Sequence, residues 1–317
     1  MSILAAGLAM MQVATATVAP AQAGSISLPS EPAPLYGTLL PAQGATRAVA
    51  VILPGSGPTD RDGNSPMGVT AGTYRLLAEG LAAQGIATVR IDKRGIAQSA
   101  AAASAEADLR FSTYADDARA WATEAAQATG QPCAWLIGHS EGALVAEVAA
   151  RDAGNTVCGL VLLSGAGRPA GALLREQLAT LPEPLKTQAY AALDDLEAGR
   201  TVAEPPPQLA ALFHPSVQPY LISWLALDPA GLIAGYDGPV LIGQGTTDIQ
   251  VGVADAQALV AANPRARLVL WEGVNHLLKT APADRAGNLA TYADPTLPLA
   301  AGVVEDVAAF VLEPSTP

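Results

Sequence analysis

A serine lies between two glycines in the stretch Gly138-His139-Ser140-Glu141-Gly142. The stretch joins a short apolar run, which begins at residue 134, to a helix-like pattern. A nucleophilic serine on a sharp turn from strand to helix needs small residues two positions before and after it, so that the two elements can approach closely. The pattern predicts that Ser140 is the nucleophile of an acyl-transfer reaction. The alternative is a turn with a structural role only.

A serine nucleophile needs a base, and the chain has three histidines. His139 flanks the serine, and we expect its side chain to point away from it. His214 lies in a segment without strand patterns. His276 follows the last strand-like run, which places it at the same sheet edge as Ser140. We therefore predict His276 as the base, the alternative being a surface loop histidine. Because a histidine accepts a proton only when it is neutral, acid should abolish activity.

The base needs a carboxylate that orients its ring. Asp248 follows the strand-like run at 239–245, again at the carboxyl end, and is the predicted partner of the histidine. Asp228 and Asp237 are weaker candidates. Asp255 stands one helical turn further along, and we expect it to face solvent.

The loop at 54–64 reads PGSGPTDRDGN and follows a strand-like run. Gly55 and Gly57 let its backbone approach a bound substrate closely. An oxyanion hole should combine the N–H of Glu141 with that of Ser56, or alternatively that of Gly57. A phosphate-binding loop is excluded because neither glycine-rich phosphate motif follows the strand. The charged residues of the loop are expected to fix it by local pairing.

Short runs rich in Val, Ile and Leu alternate with helical patterns along the chain. The strand-like runs are 35–42, 48–55, 86–92, 134–138, 160–165, 239–245 and 266–273; the helical ones are 71–84, 113–129, 141–152, 253–262 and 302–311. Near-continuous apolar strands separated by helices predict an α/β fold with a mostly parallel central sheet flanked by helices.

The segment 168–237 contains no convincing strand pattern, but three amphipathic helices. It is predicted to form a helical cap, inserted between strands, over the carboxyl edge of the sheet, where α/β folds bind ligands. The alternative is a solvated helical excursion. Phe213, Tyr220 and Trp224 are candidates to line a substrate pocket, or else they pack the cap onto the sheet.

The combined motifs PGSGPTDRDGN, DKRG at 92–95, GHSEG, QGTTDIQV and the pair Asn275-His276 are specific. On these motifs the chain, from about residue 35 onward, resembles serine hydrolases of the α/β-hydrolase fold, and more narrowly bacterial carboxylesterase-type proteins. The order Ser140, Asp248, His276 is that of the α/β-hydrolase triad. The first motif begins Pro-Gly where many relatives have His-Gly, which should leave a backbone donor in place.

The resemblance implies hydrolysis of carboxylic esters through an acyl-enzyme, and a cap that carries Leu and Ala at helical spacing with few large aromatics predicts small to medium acyl groups. A thioesterase, peptidase, lactonase or acyltransferase of the same fold is the alternative, and a catalytically silent binding module is a third hypothesis. No organic cofactor is implied. No metal is expected either, since the histidines and cysteines are too scattered to form a ligand cluster.

Cys133 directly precedes the apolar run AWLIG, and Cys158 directly precedes the run GLVLLSG. If those runs are neighbouring parallel strands, the two cysteines lie side by side, and a disulfide can form in an oxidising compartment. The alternative is two small buried thiols.

Residues 1–23 are uncharged and apolar to small, and they end in Ala21-Gln22-Ala23, a typical cleavage pattern. We expect a signal peptide and export to the periplasm or medium, although the segment lacks a basic n-region; a loosely packed arm is the alternative. Residues 24–317 are then one hydrolase domain. The net charge of −12 disfavours nucleic acid and anionic membranes as partners, and no stable membrane anchor is expected. The sequence does not indicate an oligomeric state.

Overall fold

The computed structural model describes residues 22–313. Its strands are β1 (Gly24–Leu28), β2 (Leu35–Leu40), β3 (Ala48–Leu53), β4 (Ile86–Ile91), β5 (Ala134–His139), β6 (Val157–Leu163), β7 (Val240–Gly245) and β8 (Arg267–Trp271). Its helices are α1 (Thr73–Ala83), α2 (Phe111–Thr129), α3 (Glu141–Arg151), α4 (Ala170–Leu178), α5 (Leu185–Glu197), α6 (Ala210–Phe213), α7 (Gln218–Leu225), α8 (Pro229–Ala234), α9 (Val253–Ala262), α10 (Arg285–Ala290) and α11 (Val303–Val311).

All eight described strands form one sheet, in the order β1-β2-β4-β3-β5-β6-β7-β8. The pairings from β4 to β8 are parallel, whereas β2 runs antiparallel to both β1 and β4. The predicted α/β class and mostly parallel sheet are confirmed. The first strand was missed, because GSISL has five residues, three of which are serine or glycine, and lies largely exposed at the sheet edge.

Helices cover both faces of the sheet, and β3 shows how the sequence does this. Val49, Val51 and Leu53 belong to one apolar cluster, with α2, α3 and the cap helices. Ala50 and Ile52 belong to the other, with α1 and α11. Successive side chains of a strand point to opposite faces, so an uninterrupted apolar run serves both cores.

The segment between β6 and β7 contains α4 to α8 and no strand, which matches the predicted helical insertion at 168–237. Leu193 and Leu196 of α5 and Leu221 of α7 are buried in the same cluster as α2. The segment is therefore packed onto the body of the protein, and is not the solvated excursion that was the alternative.

Cys133 and Cys158 form a disulfide, with their Cα atoms 5.3 Å apart. The register of β5 and β6 shifts at this point: Ala134 pairs with Val157 and Trp135 with Gly159. Cys158 is thus the additional residue of an irregularity, which sets it beside Cys133. The expected disulfide is present at the amino-terminal ends of the two strands.

The expected signal peptide lies almost entirely outside the described residues, as do residues 314–317. Between residues 22 and 313, no helix has both the length and the apolar character needed to cross a membrane.

The disulfide should stabilise the fold by constraining the unfolded chain. For a sequence separation of 25 residues, the chain-entropy model gives about 3.5 kcal/mol. We expect the Cys133→Ser/Cys158→Ser variant to lose about that free energy of unfolding in urea titrations, and the difference to vanish when both proteins are reduced. Two alkylatable thiols in protein recovered from an oxidising compartment would contradict the bond and weaken the case for export.

Candidate active site

The predicted functional residues gather at the carboxyl edge of the sheet. The loop 54–64 follows β3, Ser140 follows β5, Asp248 lies three residues past β7, and His276 lies five residues past β8. Because β3, β5, β7 and β8 are parallel members of one sheet, their carboxyl ends share one edge. Four segments far apart in sequence therefore contribute to one place.

Ser140 occupies a strained turn between β5 and α3. Its φ of 55° and ψ of −121° lie in a region that residues with a side chain rarely adopt. A Cβ on Gly138 would stand 2.1 Å from the carbonyl oxygen of Gly142, and one on Gly142 would stand 2.3 Å from that of Leu53. Only glycine fits at either position, which confirms the steric reason for the two glycines.

His276 and Asp248 are joined by a hydrogen bond of 2.8 Å between Nδ1 and Oδ2. The other carboxylate oxygen accepts the N–H groups of Gln250 and Val251 at 2.8 and 3.0 Å. Burial by itself raises the pKa of Asp248, but the His276 ring and these N–H groups favour the carboxylate more strongly, so its pKa lies below the usual value. Asp248 is thus held ionised, with one oxygen on the ring.

Ser140 and His276 line one cavity of about 320 Å³. No hydrogen bond joins their side chains among the described residues. Contacts of this kind often tighten only when substrate binds. With Nδ1 engaged by Asp248, the Nε2 atom of His276 is the one left to act on the serine.

His139 turns away from Ser140, as expected, and joins three loops of the site. Its Nε2 lies 2.7 Å from the carbonyl oxygen of His276, and its Nδ1 lies 2.9 Å from the Tyr74 hydroxyl. A carbonyl only accepts, so Nε2 carries the proton and Nδ1 accepts from Tyr74. The Tyr74 oxygen in turn accepts the N–H of Gly55 at 2.9 Å.

The predicted oxyanion donors lie on either side of the serine. Between residues 22 and 313, neither the N–H of Ser56 nor that of Glu141 donates to a protein acceptor. A Cβ on Gly55 would stand 3.2 Å from that of Ser140, so the loop passes directly over Ser140. Gly57 lies beside it with a φ of 70°. The arrangement leaves backbone donors available beside the serine.

The charged residues of the loop are occupied by structural pairs, as expected. Arg61 donates to both oxygens of Asp92 in the DKRG motif, and Asp62 pairs with Arg90 of β4. Asp60 accepts N–H groups within its own turn. These pairs fix the loop to β4 and are not offered to a substrate.

Two cavities meet at Ser140. The first, described above, also contains Gly55 and Gly57. The second, of about 290 Å³, lies under the cap and is lined mainly by apolar side chains; these are Leu144, Leu173, Leu174, Leu212, Trp224 and Val251. Of the three aromatic candidates, only Trp224 lines a cavity.

Phe213 and Tyr220 line neither of these two cavities. Phe213 is 0% exposed, and Tyr220 stacks on Phe111 with ring centroids 6.0 Å apart. Tyr220 packs the cap onto α2, and Phe213 is buried in the same apolar cluster, as in the stated alternative. The leucines that do line the cavity were missed, since helical spacing alone does not distinguish cavity from core.

The remaining acidic candidates are elsewhere. Asp237 pairs with Arg265 at the surface, and Asp228 is exposed at the start of α8. Asp255 does not face solvent: it is 0% exposed and accepts two bonds from Arg168, at 2.9 and 2.8 Å. His214 is exposed and bonds Ser216.

Solved structures share this architecture. Est1E from Butyrivibrio proteoclasticus, with ferulic acid bound, aligns with a TM-score of 0.58 at 17% identity, covering 91% of this chain and 100% of that one. The chain has the α/β-hydrolase fold. A lipase-esterase related protein from Clostridium acetobutylicum aligns with a TM-score of 0.53 at 16% identity, over 87% of this chain and 99% of that one.

A family model described as "Serine aminopeptidase, S33" matches residues 66–206, from the loop before α1 to the segment after α5 of the α/β-hydrolase fold. The esterase domain of a Rhodothermus marinus protein also aligns, with a TM-score of 0.51 at 17% identity, over 87% of this chain and 99% of that one. No curated protein matches the sequence.

We predict that Ser140→Ala and His276→Ala each lower kcat by about 10⁴- to 10⁶-fold, with little effect on folding, because triad members act as a unit. The double variant should be scarcely worse than either single one. Asp248→Asn should lower kcat by about 10⁴-fold, since an amide holds the wrong tautomer of the histidine.

The matched controls are His214→Ala, Asp228→Asn and Asp237→Asn, which alter exposed groups outside both cavities. Each should keep wild-type kcat with p-nitrophenyl esters. Full activity in His276→Ala, or loss only in His214→Ala, would overturn the assignment of the base.

A second prediction concerns the buried His139 ring. Burial, assisted by the neighbouring His276, lowers the pKa of His139 from 6.5 to about 3. Between those values the unfolded chain binds a proton that the folded chain does not, so stability falls as pH decreases from about 6.5 towards 3, by up to about 1.4 kcal/mol per pH unit from this group. His139→Gln should flatten that dependence in urea titrations, whereas the exposed His214→Gln should not.

Proposed function

We propose that the protein is a serine hydrolase that cleaves carboxylic esters of small to medium acyl groups. The observation that carries this proposal is the meeting of two distinct cavities at Ser140, one lined by His276 and one lined by the cap. An ester has an acyl part and an alcohol part on either side of the bond that is cleaved. The cavity that contains His276 and the mainly apolar cavity under the cap can receive one part each. The esterases among proteins of the same fold support this proposal.

The mechanism assigns one role to each residue. His276 takes the proton of Ser140 as the serine oxygen attacks the carbonyl carbon, and Asp248 stabilises the charged ring. The N–H groups of Ser56 and Glu141 bind the oxyanion that develops. The protonated His276 then gives its proton to the leaving alcohol, and water, activated by the same histidine, hydrolyses the acyl-enzyme.

Proton transfer decides which cavity holds which part of the substrate. The oxygen of the leaving alcohol must reach His276, and His276 lines only the larger, 320 Å³ cavity. The alcohol is therefore released there. The acyl group occupies the cap cavity, whose volume of about 290 Å³ stands at the lower end of the range of ~300–1,000 Å³ usual for small-molecule sites. Acyl groups of modest size fit such a volume.

Peptidase activity is a second candidate because of the family model for serine aminopeptidases. Such a peptidase needs a carboxylate for the substrate's ammonium group. Of the described residues that line the two cavities, Glu141 is the one carboxylate, and Lys93 pairs with it at 3.6 Å. The site therefore lacks an unengaged partner for an amino terminus, which favours the ester reaction.

We expect kcat/KM on p-nitrophenyl esters to peak at short or medium acyl chains, with poor cleavage of sixteen-carbon esters and aminoacyl p-nitroanilides. Methyl ferulate tests an aromatic acyl group of the kind bound by Est1E. Fluorophosphonate labelling, lost in Ser140→Ala, separates the enzyme from a silent binding module. A maximum at the longest chain, or higher values on peptides than on esters, would refute the proposed substrate class.

The cap cavity should set acyl length through α4. Leu173→Trp fills the cavity, and overpacking of about 1–3 kcal/mol corresponds to a loss of roughly 5- to 150-fold in kcat/KM on octanoyl esters, with acetyl esters little changed. Ala172→Trp adds the same side chain at the neighbouring exposed position of the helix and should alter neither. Equal losses on both esters would place the acyl group elsewhere.

A further inference from the structure

Lys93 is buried behind the loop that carries the Ser56 donor. It lies two residues past β4, and its side chain is 7% exposed. Its ammonium group donates to the carbonyl oxygen of Gly55 at 2.6 Å and lies 3.6 Å from a carboxylate oxygen of Glu141. The Lys93 ammonium therefore contacts Gly55, which precedes the donor residue Ser56, and Glu141, which carries the second donor.

The contact with Gly55 bears directly on the Ser56 N–H group. The Gly55 carbonyl and the Ser56 N–H belong to the same peptide unit, which is planar, and in a trans unit they point in opposite directions. Fixing the carbonyl towards Lys93 therefore fixes the N–H away from it. Rotation of this unit would exchange a donor for an acceptor beside Ser140.

The neighbouring peptide unit is held by a separate contact. The Gly55 N–H donates to the Tyr74 hydroxyl at 2.9 Å. Gly55 has no side chain to restrict its backbone, so both of its peptide units need external partners. Lys93 and Tyr74 supply one each.

Lys93 contacts the residue that carries the second donor, Glu141, through its side chain. Glu141 is the first residue of α3, and its carboxylate is buried beside Lys93. The Lys93 ammonium also lies 5.4 Å from the centre of the Tyr114 ring. Burial lowers the pKa of Lys93, while Glu141 acts in the opposite direction. The pair thus links the loop after β3 to the start of α3.

We propose that Lys93 is a positioning residue that keeps the oxyanion donor Ser56 N–H directed at the reacting carbonyl, while its ion pair with the Glu141 side chain holds this loop beside the second donor, Glu141 N–H. This inference rests on the proposed ester hydrolysis. Removing a single donor from such a hole costs about 10²–10³-fold in kcat, so misdirecting one should cost somewhat less.

A purely structural role explains Lys93 less well. A buried ion pair rarely adds stability over apolar residues of similar volume. Here the carboxylate lies 3.6 Å away, beyond ordinary hydrogen-bond distance. Burying the lysine ammonium costs desolvation free energy. What the residue provides is the orientation of the peptide unit between Gly55 and Ser56.

The test compares Lys93→Met, which keeps the length of the side chain, with wild type. We expect kcat on p-nitrophenyl acetate to fall by about 10- to 100-fold, with KM within about twofold. An alkyl boronic acid, which adds to the Ser140 oxygen and places a negatively charged tetrahedral centre in the hole, should lose affinity in proportion to kcat/KM. Lys93→Arg keeps a charged donor and should recover part of both.

Lys279→Met is the matched control. Lys279 is equally buried and donates to the carbonyl of Leu297 at 2.6 Å, but it contacts neither Gly55 nor Glu141. The Lys279→Met variant should have a lower melting temperature, with an unchanged ratio of boronate affinity to substrate affinity. If Lys93→Met does not fold, Glu141→Gln replaces it, and should lower kcat and boronate affinity together.

Wild-type kcat and boronate affinity in Lys93→Met would overturn the proposal. So would a variant that behaves like Lys279→Met, with a lower melting temperature and an unchanged affinity ratio. Failure of the wild-type protein to react with a fluorophosphonate or to bind the boronate is a different result, and counts against ester hydrolysis itself.

Discussion

The backbones of β3, β5 and α3 approach one another so closely around Ser140 that no side chain fits between them. Gly138 faces the carbonyl of Gly142, and Gly142 faces that of Leu53, at distances that exclude a Cβ. Ser140 makes this turn with a positive φ of 55°. The strained residue is thereby the one whose oxygen projects from the sheet edge, and the start of α3 supplies an N–H beside it. Strain at one residue is stabilised by the packing of the whole sheet.

Buried polar groups around the same turn hydrogen-bond to one another. Tyr74, His139 and the carbonyl of His276 form one chain of hydrogen bonds, with Gly55 N–H as its first donor. Each member has its donor and acceptor roles determined by the next. The loop over Ser140 and the loop that carries His276 are therefore held in a fixed relation through the His139 ring.

Residue types and spacing were sufficient to predict the sheet, the helical insertion and the residues that converge at Ser140. Local chemistry determines these features: a glycine pair at a turn, three histidines, and an aspartate after a strand. Lys93 was not predictable in this way, since its contacts with Gly55 and Glu141 join three separate parts of the chain. Asp255 was misjudged for the same reason, because its buried partner Arg168 lies 87 residues away.

An ion pair between Arg168 and Asp255 connects the cap to the helix that follows the Asp248 loop. Arg168 lines the cap cavity and stands at the start of the inserted segment, while Asp255 lies in α9, which follows the loop of Asp248. The Asp255 carboxylate binds Arg168 through two bonds and also accepts the N–H of Gly167. Displacing Arg168 would leave the buried Asp255 carboxylate with the Gly167 N–H and without its charged partner. The ion pair thus links the inserted helical segment to the helix that follows the Asp248 loop, so a change in the cap that displaced Arg168 would also disturb the surroundings of Asp248.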